Sequence, residues 1–120
     1  MLHRTALAVV LLAPALAVTP ARAHAILMTS DPAAGGTVAP GEAAIKLQYN
    51  SRIYQGRSRV TLTGPGGADA RLALLPEKRP DILSANAGPL APGAYVLHWF
   101  VLATDGHITR GDVPFTVSNP

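Results

Sequence analysis

Apolar and polar residues alternate with a period of two along most of the chain beyond residue 40. This pattern is typical of β-strands that bury one face, and it is clearest at 43–50, 59–63, 95–102 and 113–117. Glycine and proline separate these stretches, and none of them shows the 3.6-residue period of an amphipathic helix. About seven short strands with such turns predict an all-β fold, a small antiparallel Greek-key β-sandwich of the immunoglobulin-like kind.

The turn residues add detail to this prediction. The Gly-Pro-Gly-Gly run at 64–67 predicts a hairpin between the strand before it and a strand at 70–75. The prolines and glycines of 86–93 predict a connection after a short strand at 81–85. Pro114 predicts an edge position in the last strand, because proline has no N–H to donate to a neighbouring strand.

The strand at 95–102 has two different faces. We predict that its aromatic-rich face lies in the core, and this face consists of Tyr95, Leu97, Trp99 and Val101. A first strand is predicted at 24–30, before a turn that contains Pro32.

Residues 1–23 have the features of a cleaved signal peptide for secretion. A basic residue lies near the start, an apolar run covers 6–18, and Ala-Arg-Ala at 21–23 matches the pattern that signal peptidase recognises. The apolar run is shorter than the about 20 residues that a transmembrane helix needs. We therefore predict cleavage directly before His24 and one mature domain at 24–120, with cleavage after Ala17 as the alternative.

Composition limits what the mature domain can be. Removing 23 of the 120 residues leaves 97, enough for one small domain. The formal net charge falls from +3 to +1, because Arg4 and Arg22 leave with the signal peptide, and this argues against a nucleic-acid partner. Cysteine is absent, which excludes disulfides and thiolate metal sites. No second apolar segment follows, so we predict no membrane span in the mature chain and a location in the periplasm or outside the cell.

Three side chains form the candidate metal site: His24, Asp105 and His107. As the first mature residue, His24 would offer its free α-amine and ring Nδ1, which close a six-membered chelate on one ion. Asp105 and His107 can project to one side of a near-extended backbone, and Gly106 permits the bend between them. With one nitrogen of His107, these donors make a histidine brace, to which Asp105 adds an oxygen. Such nitrogen-rich sites suit Cu(II) best, although zinc accepts similar ligands.

Other candidate residues have simpler interpretations. An isolated Asp-Gly-His run is more often a turn than a ligand pair. His98 is predicted to be a surface or partly covered strand residue. Met28 is predicted to have a core or near-surface packing role, because one thioether cannot build a Cu(I) site. A basic cluster consists of Arg52, Arg57 and Arg59. Such a cluster usually belongs to a solvated loop, and the alternative is that it binds an acidic partner. Hydrolase nucleophile motifs are absent.

Several motifs together are specific to one family. They are His-Ala at 24–25, Ser-Asp-Pro-Ala-Ala-Gly at 30–35, Thr-Leu-Thr-Gly-Pro at 61–65, Gly-Ala-Tyr at 93–95 and Val-Leu-Ala-Thr-Asp-Gly-His at 101–107. With these motifs the mature chain resembles the CopC family of periplasmic copper-binding and copper-resistance proteins. The resemblance implies a Greek-key β-sandwich that binds one Cu(II) ion through His24, Asp105 and His107. It also implies copper carriage or buffering rather than catalysis.

Two features depart from the family pattern. Some relatives carry a methionine-rich loop for Cu(I), whereas Met28 is the only methionine beyond residue 23 here, so a second copper site is not expected. Many relatives have an acidic residue where Ser51 stands, so a further carboxylate ligand is not expected either.

The leading hypothesis is a one-site periplasmic Cu(II)-binding protein that sequesters copper or passes it to an inner-membrane copper transporter. One alternative is a histidine-brace copper oxidase or monooxygenase, although Asp105 would fill a position that oxygen-activating copper needs open. The other alternative is an immunoglobulin-like interaction module without metal, in which Asp-Gly-His is only a turn. Cleavage after Ala17 would favour that module, because His24 would then lose its free amine.

Overall fold

The computed structural model describes residues 5–6, 8–10 and 24–120. The rest of the predicted signal peptide lies outside the described residues, and the boundary before His24 is therefore still a prediction. None of the helical segments described in this structure has the length and apolarity needed to cross a bilayer.

The described part of the chain forms two β-sheets. Its strands are β1 (Leu27–Asp31), β2 (Thr37–Val38), β3 (Gly41–Tyr49), β4 (Arg59–Thr63), β5 (Asp69–Leu72), β6 (Leu74–Leu75), β7 (Ile82–Leu90), β8 (Gly93–Leu102) and β9 (Ile108–Val117). One sheet has the order β1-β3-β7-β6 and the other the order β2-β9-β8-β4-β5. Two short 3-10 helices occupy Gln55–Arg57 and Pro65–Gly67. The all-β sandwich predicted from the alternation is confirmed.

The inward faces of the two sheets form one core. The alternation predicted these faces correctly in β3, β4, β8 and β9. The four predicted core residues of β8 are each no more than 8% exposed, and they pack with the inward residues of the other long strands, among them Ile45, Leu47, Tyr49, Val60, Leu62, Val113, Phe115 and Val117. Burial of one strand face against the opposite sheet is thus the main reason that this sequence forms a sandwich.

The strand boundaries differ from the predictions in two places. The first strand begins at Leu27 rather than at residue 24, because regular pairing with β3 starts only there. Before it, the Ala25 carbonyl and Ile26 N–H bond to the side chains of Thr109 and Asn50. The stretch 70–75 is not one strand: β5 pairs with β4, whereas β6 pairs with β7 in the other sheet. The chain changes sheets at Ala73, so a hairpin at 64–67 is right but its second strand is shorter than expected.

The prediction of a connection at 86–93 is wrong over most of its length. Strand β7 continues through Leu90, and its pairing with β3 shifts between Gly41 and Ala43. Gly88 and Pro89 lie in this irregular part of the ladder, where a bulge tolerates a residue that cannot donate a backbone hydrogen bond. Tertiary pairing thus overrides the local turn signal.

Pro114 has the local edge environment predicted for it, although β9 lies inside its sheet. Strand β2 pairs with β9 only at Thr116 and Val117, so the outer side of Pro114 has no strand beside it. The Pro114 carbonyl accepts a hydrogen bond from Gly35 N–H at 2.7 Å. The missing N–H of the proline therefore leaves no gap in the ladder to β8.

The register of β8 and β9 depends on a close fit between Trp99 and Gly111. These residues face each other across the two strands, and a Cβ at Gly111 would lie 2.6 Å from Trp99 Cε2. The indole therefore occupies the space that a side chain at residue 111 would need. Trp99 also contacts Tyr49 edge to face, with ring centroids 5.2 Å apart, which links the two sheets.

We expect Gly111→Ala to lower the free energy of unfolding by about 1–3 kcal/mol, because the new methyl group would overpack the core against the indole. The measurement is urea unfolding followed by the fluorescence of Trp99, the only tryptophan of the chain. Gly56→Ala is the matched control, since a Cβ there meets nothing within 4 Å. Equal stability of the two variants would contradict the proposed fit.

Candidate metal centre

The connection between β8 and β9 holds two of the three predicted ligands. Ala103 N–H donates to the His107 carbonyl at 2.8 Å, and Gly106 N–H donates to the Ala103 carbonyl at 2.9 Å. Gly106 adopts a φ of +90°, which glycine reaches without strain. Asp105 Oδ1 accepts a hydrogen bond from His107 N–H at 3.0 Å. The Asp-Gly-His run is therefore a turn, as the simpler interpretation expected, and the same turn fixes both side chains close together.

The third predicted ligand lies beside this turn. The imidazole rings of His24 and His107 are in contact, with centroids 4.9 Å apart and planes at 72°. Residues far apart in the chain are thus brought together at one end of the sandwich. Two imidazoles in contact are near enough to serve one small ion after modest side-chain rotation.

Side chains from both sheets hold the segment that carries His24. Ala25 is only 1% exposed, and its carbonyl accepts a hydrogen bond from Thr109 Oγ1 at 2.8 Å. Ile26 N–H donates to Asn50 Oδ1 at 2.8 Å, and Asn50 N–H donates to the Ile26 carbonyl at 3.0 Å. Because Ala25 and Ile26 are held in this way, the backbone of His24 stays next to the turn.

Electrostatics favour an ionised carboxylate at Asp105. The hydrogen bond from His107 N–H holds the pKa of the Asp105 carboxyl below its usual value, and the ring of His107 and the nearby His24 act in the same direction. Partial desolvation opposes this shift without reversing it. An ionised oxygen beside two imidazoles is a suitable donor for a divalent cation.

One ring nitrogen of His107 is poorly satisfied. Its Nδ1 lies 3.1 Å from Asp105 Oδ2, yet the pair lacks hydrogen-bond geometry, and this buried atom has no hydrogen-bond partner among the described residues. A buried polar atom without a partner is unfavourable in a resting fold. The donor set therefore fits an ion that would take up this nitrogen.

Side chains alone do not form a complete metal-binding site. In 24–120 together with 5–6 and 8–10, no three side chains of histidine, cysteine, aspartate or glutamate converge closely enough to hold a metal ion. The structure brings His24 to His107 and His107 to Asp105, but it does not bring all three donors to one point. In this chain the nitrogen of His24 is a peptide amide, which is not a basic donor.

The structure also shows the surroundings of three other residues considered in the sequence. His98 is a half-exposed strand residue, as predicted, with Nδ1 2.6 Å from Asp112 Oδ1 and Nε2 2.9 Å from Thr63 Oγ1. Met28 is 61% exposed on β1, so it does not serve core packing. Ser51 Oγ is buried and has no hydrogen-bond partner in the part of the chain that the structure describes.

The sequence interpretation missed Thr109 and Asn50. A signal for Thr109 was present, because extending the alternation of β9 two steps back from Val113 places residue 109 on the inward face. A polar residue at an inward position near a strand end indicates a buried polar partner. For Asn50 there was no comparable signal, since its role depends on where the N-terminal segment lies.

Together, the fold and the site define a class: a β-sandwich in which a histidine at the start of the domain, His24, is held against an Asp-Gly-His turn at one end. The profile of the CopC domain matches residues 27–118. This chain therefore belongs to the CopC family.

Named relatives and solved structures agree with this assignment. Protein YobA of Escherichia coli (strain K12) is 34% identical over 100 residues, covering 79% of each chain. Copper resistance protein C of Xanthomonas campestris pv. juglandis is 30% identical over 117 residues, covering 91% of each. The crystal structure of CopC from Methylosinus trichosporium OB3b matches with a TM-score of 0.71 at 28% identity, covering 81% of this chain and 99% of that one. PcoC from Escherichia coli, a methionine-rich copper resistance protein, matches with a TM-score of 0.64 at 28% identity, covering 80% of this chain and 100% of that one.

We expect Thr109→Val to loosen the N-terminal segment, because the variant leaves the Ala25 carbonyl without its hydrogen bond. The free energy of unfolding should fall by about 1–2 kcal/mol. Amide hydrogen exchange in 24–31 should become faster while exchange in the core strands changes little. Hydrogen exchange of the chain beginning at His24, followed by mass spectrometry or NMR, measures both effects.

Thr116→Val is the matched control for this experiment. Thr116 is an exposed threonine of the same strand, and within the described residues its hydroxyl makes no hydrogen bond. If both variants changed exchange in 24–31 equally, the hydrogen bond of Thr109 would not be what holds the segment.

Proposed function

We propose that this protein, cleaved directly before His24, is a periplasmic copper protein that binds one Cu(II) ion. The observation that carries the proposal is the contact between the rings of His24 and His107, 4.9 Å apart, at the start of the domain. The proposed ligands are the α-amine and Nδ1 of His24, one nitrogen of His107 and a carboxylate oxygen of Asp105. Cleavage would convert the amide of His24 into the amine that the set of side chains lacks.

The chemistry of these donors supports copper over other divalent ions. Amine and imidazole nitrogens bind Cu(II) more tightly than Zn(II) in the usual order of stability, and a tetragonal arrangement of nitrogen and oxygen suits Cu(II). The relatives named for copper resistance support the same ion. With Met28 as the only methionine beyond residue 23, the proposal does not include a separate Cu(I) site of the methionine-rich kind.

The position of Asp105 supports carriage or buffering of copper rather than catalysis. Its carboxylate lies next to His107 and is held there by the backbone of the turn. An oxygen held beside the nitrogen ligands would occupy a coordination position that an oxygen-activating copper site needs open. We therefore propose that the protein sequesters copper or passes it to an inner-membrane copper transporter.

The exposure of the site fits transfer of an ion to a partner. The side chain of His107 is 42% exposed and that of Asp105 is 29% exposed, so an ion held there would remain accessible from solvent. A partner could approach the open end of the sandwich without unfolding either sheet. Copper in this scheme is cargo, and the fold supplies a fixed set of donors.

The first prediction from this proposed function concerns the N-terminus of the secreted protein. Expressed with its own leader in a Gram-negative host, the protein should have the intact mass of residues 24–120. A chain that began at residue 18 would place six residues before His24 and remove its free amine. Intact-mass spectrometry separates the two outcomes, and the longer chain would rule out the brace.

The second prediction concerns the imidazole ligands. One equivalent of Cu(II) added to the chain beginning at His24 should give a single EPR spectrum with nitrogen hyperfine coupling. Both His24→Ala and His107→Ala should change the spectrum and weaken binding by more than about tenfold, or ~1.4 kcal/mol. The spectrum and affinity of His98→Ala should stay as in the parent, because His98 is bonded elsewhere to Asp112.

A chain that begins at Ala23 is the sharpest control for the second prediction. It keeps every side chain of the domain and differs by one N-terminal residue, so it tests the position of the amine alone. We expect it to fold normally and to bind Cu(II) more weakly with a different spectrum. An identical spectrum in the chains beginning at Ala23 and at His24 would refute the brace.

A further inference from the structure

The outward face of the five-stranded sheet carries a groove of about 240 Å³, lined by residues of β4, β8 and β9. The pairing of these strands places Arg59, Phe100 and Arg110 in one row across the sheet. Thr61 and His98 lie in the next row. None of these residues belongs to the metal centre proposed above, so the two surfaces can be tested separately.

Two positive charges meet over a single aromatic ring in this groove. The guanidinium carbon of Arg59 lies 4.3 Å from the centroid of the Phe100 ring, and that of Arg110 lies 5.1 Å from it. Cation–π contacts hold both groups in place. The two charges are thus within about one Debye length of each other, ~10 Å at 0.1 M salt, and their repulsion would be relieved by an anion.

The acidic residues on this face do not neutralise these arginines. Asp112 is paired with His98 at 2.6 Å, and Asp69 accepts a hydrogen bond from Thr63 Oγ1 at 2.5 Å. Within the described residues, no carboxylate lies within 4.0 Å of the guanidinium of Arg59 or Arg110. Their N–H groups therefore keep most of their capacity to donate to a ligand.

A second groove, of about 460 Å³, adjoins the first and shares Arg59 with it. It lies where the chain passes from β5 to β6, and it adds Arg71 and an apolar wall formed by Leu72, Leu74, Leu75 and Pro76. Arg71 also makes no ion pair in the part of the chain that the structure describes. Strand β5 is the last strand of its sheet, so its outer edge is unpaired beside this groove.

We propose that these two joined grooves, the arginine surface, bind an acidic extended segment of a partner protein. Its carboxylates would pair with Arg59, Arg71 and Arg110, since guanidinium groups bind carboxylates through paired hydrogen bonds. Apolar side chains between those carboxylates would lie against Phe100 and the wall that begins at Leu72. In an extended strand, alternate side chains point the same way at about 6.5–7 Å spacing, which suits recognition by separate arginines.

Charge on the rest of the domain favours an acidic segment over nucleic acid or an anionic membrane. The mature domain would carry a net charge of only +1, and Asp69 and Asp112 lie on the same face as the arginines. A continuous array of phosphates would meet these carboxylates as well as the guanidinium groups. A segment with spaced carboxylates can avoid them.

The test uses the full domain beginning at His24 and a short fluorescein-labelled peptide that alternates glutamate with alanine. We expect saturable binding by fluorescence anisotropy that weakens as salt is raised. Backbone NMR shifts should concentrate on β4, β8 and β9 near Phe100 and around Arg71. The double variant Arg59→Gln with Arg110→Gln should weaken binding by at least about tenfold, because it removes two charge-assisted contacts.

The double variant Lys46→Gln with Lys78→Gln is the matched control, because it removes the same net charge from exposed residues outside both grooves. It should bind the peptide within about twofold of the parent. Far-UV circular dichroism of each variant confirms that the sandwich is intact. The single variants Arg59→Lys and Arg110→Lys should show intermediate binding, since they keep the charge and lose the paired hydrogen bonds.

Four outcomes would overturn the proposal. The first is peptide binding that does not saturate, and the second is NMR shifts centred on another surface. The third is a loss of peptide affinity in the Lys46→Gln, Lys78→Gln control equal to that in the arginine double variant. The fourth is that the arginine surface binds a short DNA duplex or phosphatidylglycerol vesicles more tightly than it binds the peptide. Binding of Cu(II) is not part of this test, so failure here leaves the proposed metal site unaffected.

Discussion

The candidate metal centre depends on one interaction, the docking of residues 24–26 across one end of the sandwich. Thr109 of the five-stranded sheet binds the buried Ala25 carbonyl, and Asn50, just after β3 of the other sheet, binds Ile26. The N-terminal segment therefore connects both sheets at the end where the β8–β9 turn lies. Because folding already restrains the backbone next to His24, less conformational entropy would be lost if its ring and that of His107 bound one ion, as proposed.

The period-two geometry of β9 serves two surfaces at once. Its inward positions include Thr109, which holds the N-terminal segment, and Gly111, which leaves room for Trp99. Its outward positions include Arg110 and Asp112, which border the arginine surface. A shift of one residue in register would exchange the two sets of side chains. The close fit of Trp99 on Gly111 thus constrains the candidate metal centre and the proposed arginine surface together, although they lie on different parts of the domain.

The alternation of apolar residues was enough to predict the core faces of β3, β4, β8 and β9, because each of these strands has one face that the opposite sheet buries. It failed at 70–75, where a change of sheet leaves no periodic signal. The turn residues of 86–93 gave a wrong prediction for a different reason, because a bulge in the β3–β7 ladder accommodates Gly88 and Pro89 within a strand. The Asp-Gly-His spacing identified the turn that holds His107. The approach of His24 to that turn could not be read from periodicity, since it depends on contacts such as that of Thr109 with residues distant in the chain.

The same docking separates folding from metal binding. Ala25 and Ile26 are held through backbone groups that exist whether or not the bond before His24 is cut, so the sandwich and the contact between the two imidazoles do not require cleavage. The α-amine does require it, because an amide nitrogen has no basic lone pair to give. Under the proposed function, a cut before His24 adds one nitrogen donor at a position that the fold already restrains. A cut after Ala17 would leave six residues before His24, so the nitrogen of His24 would remain a peptide amide and the brace could not form.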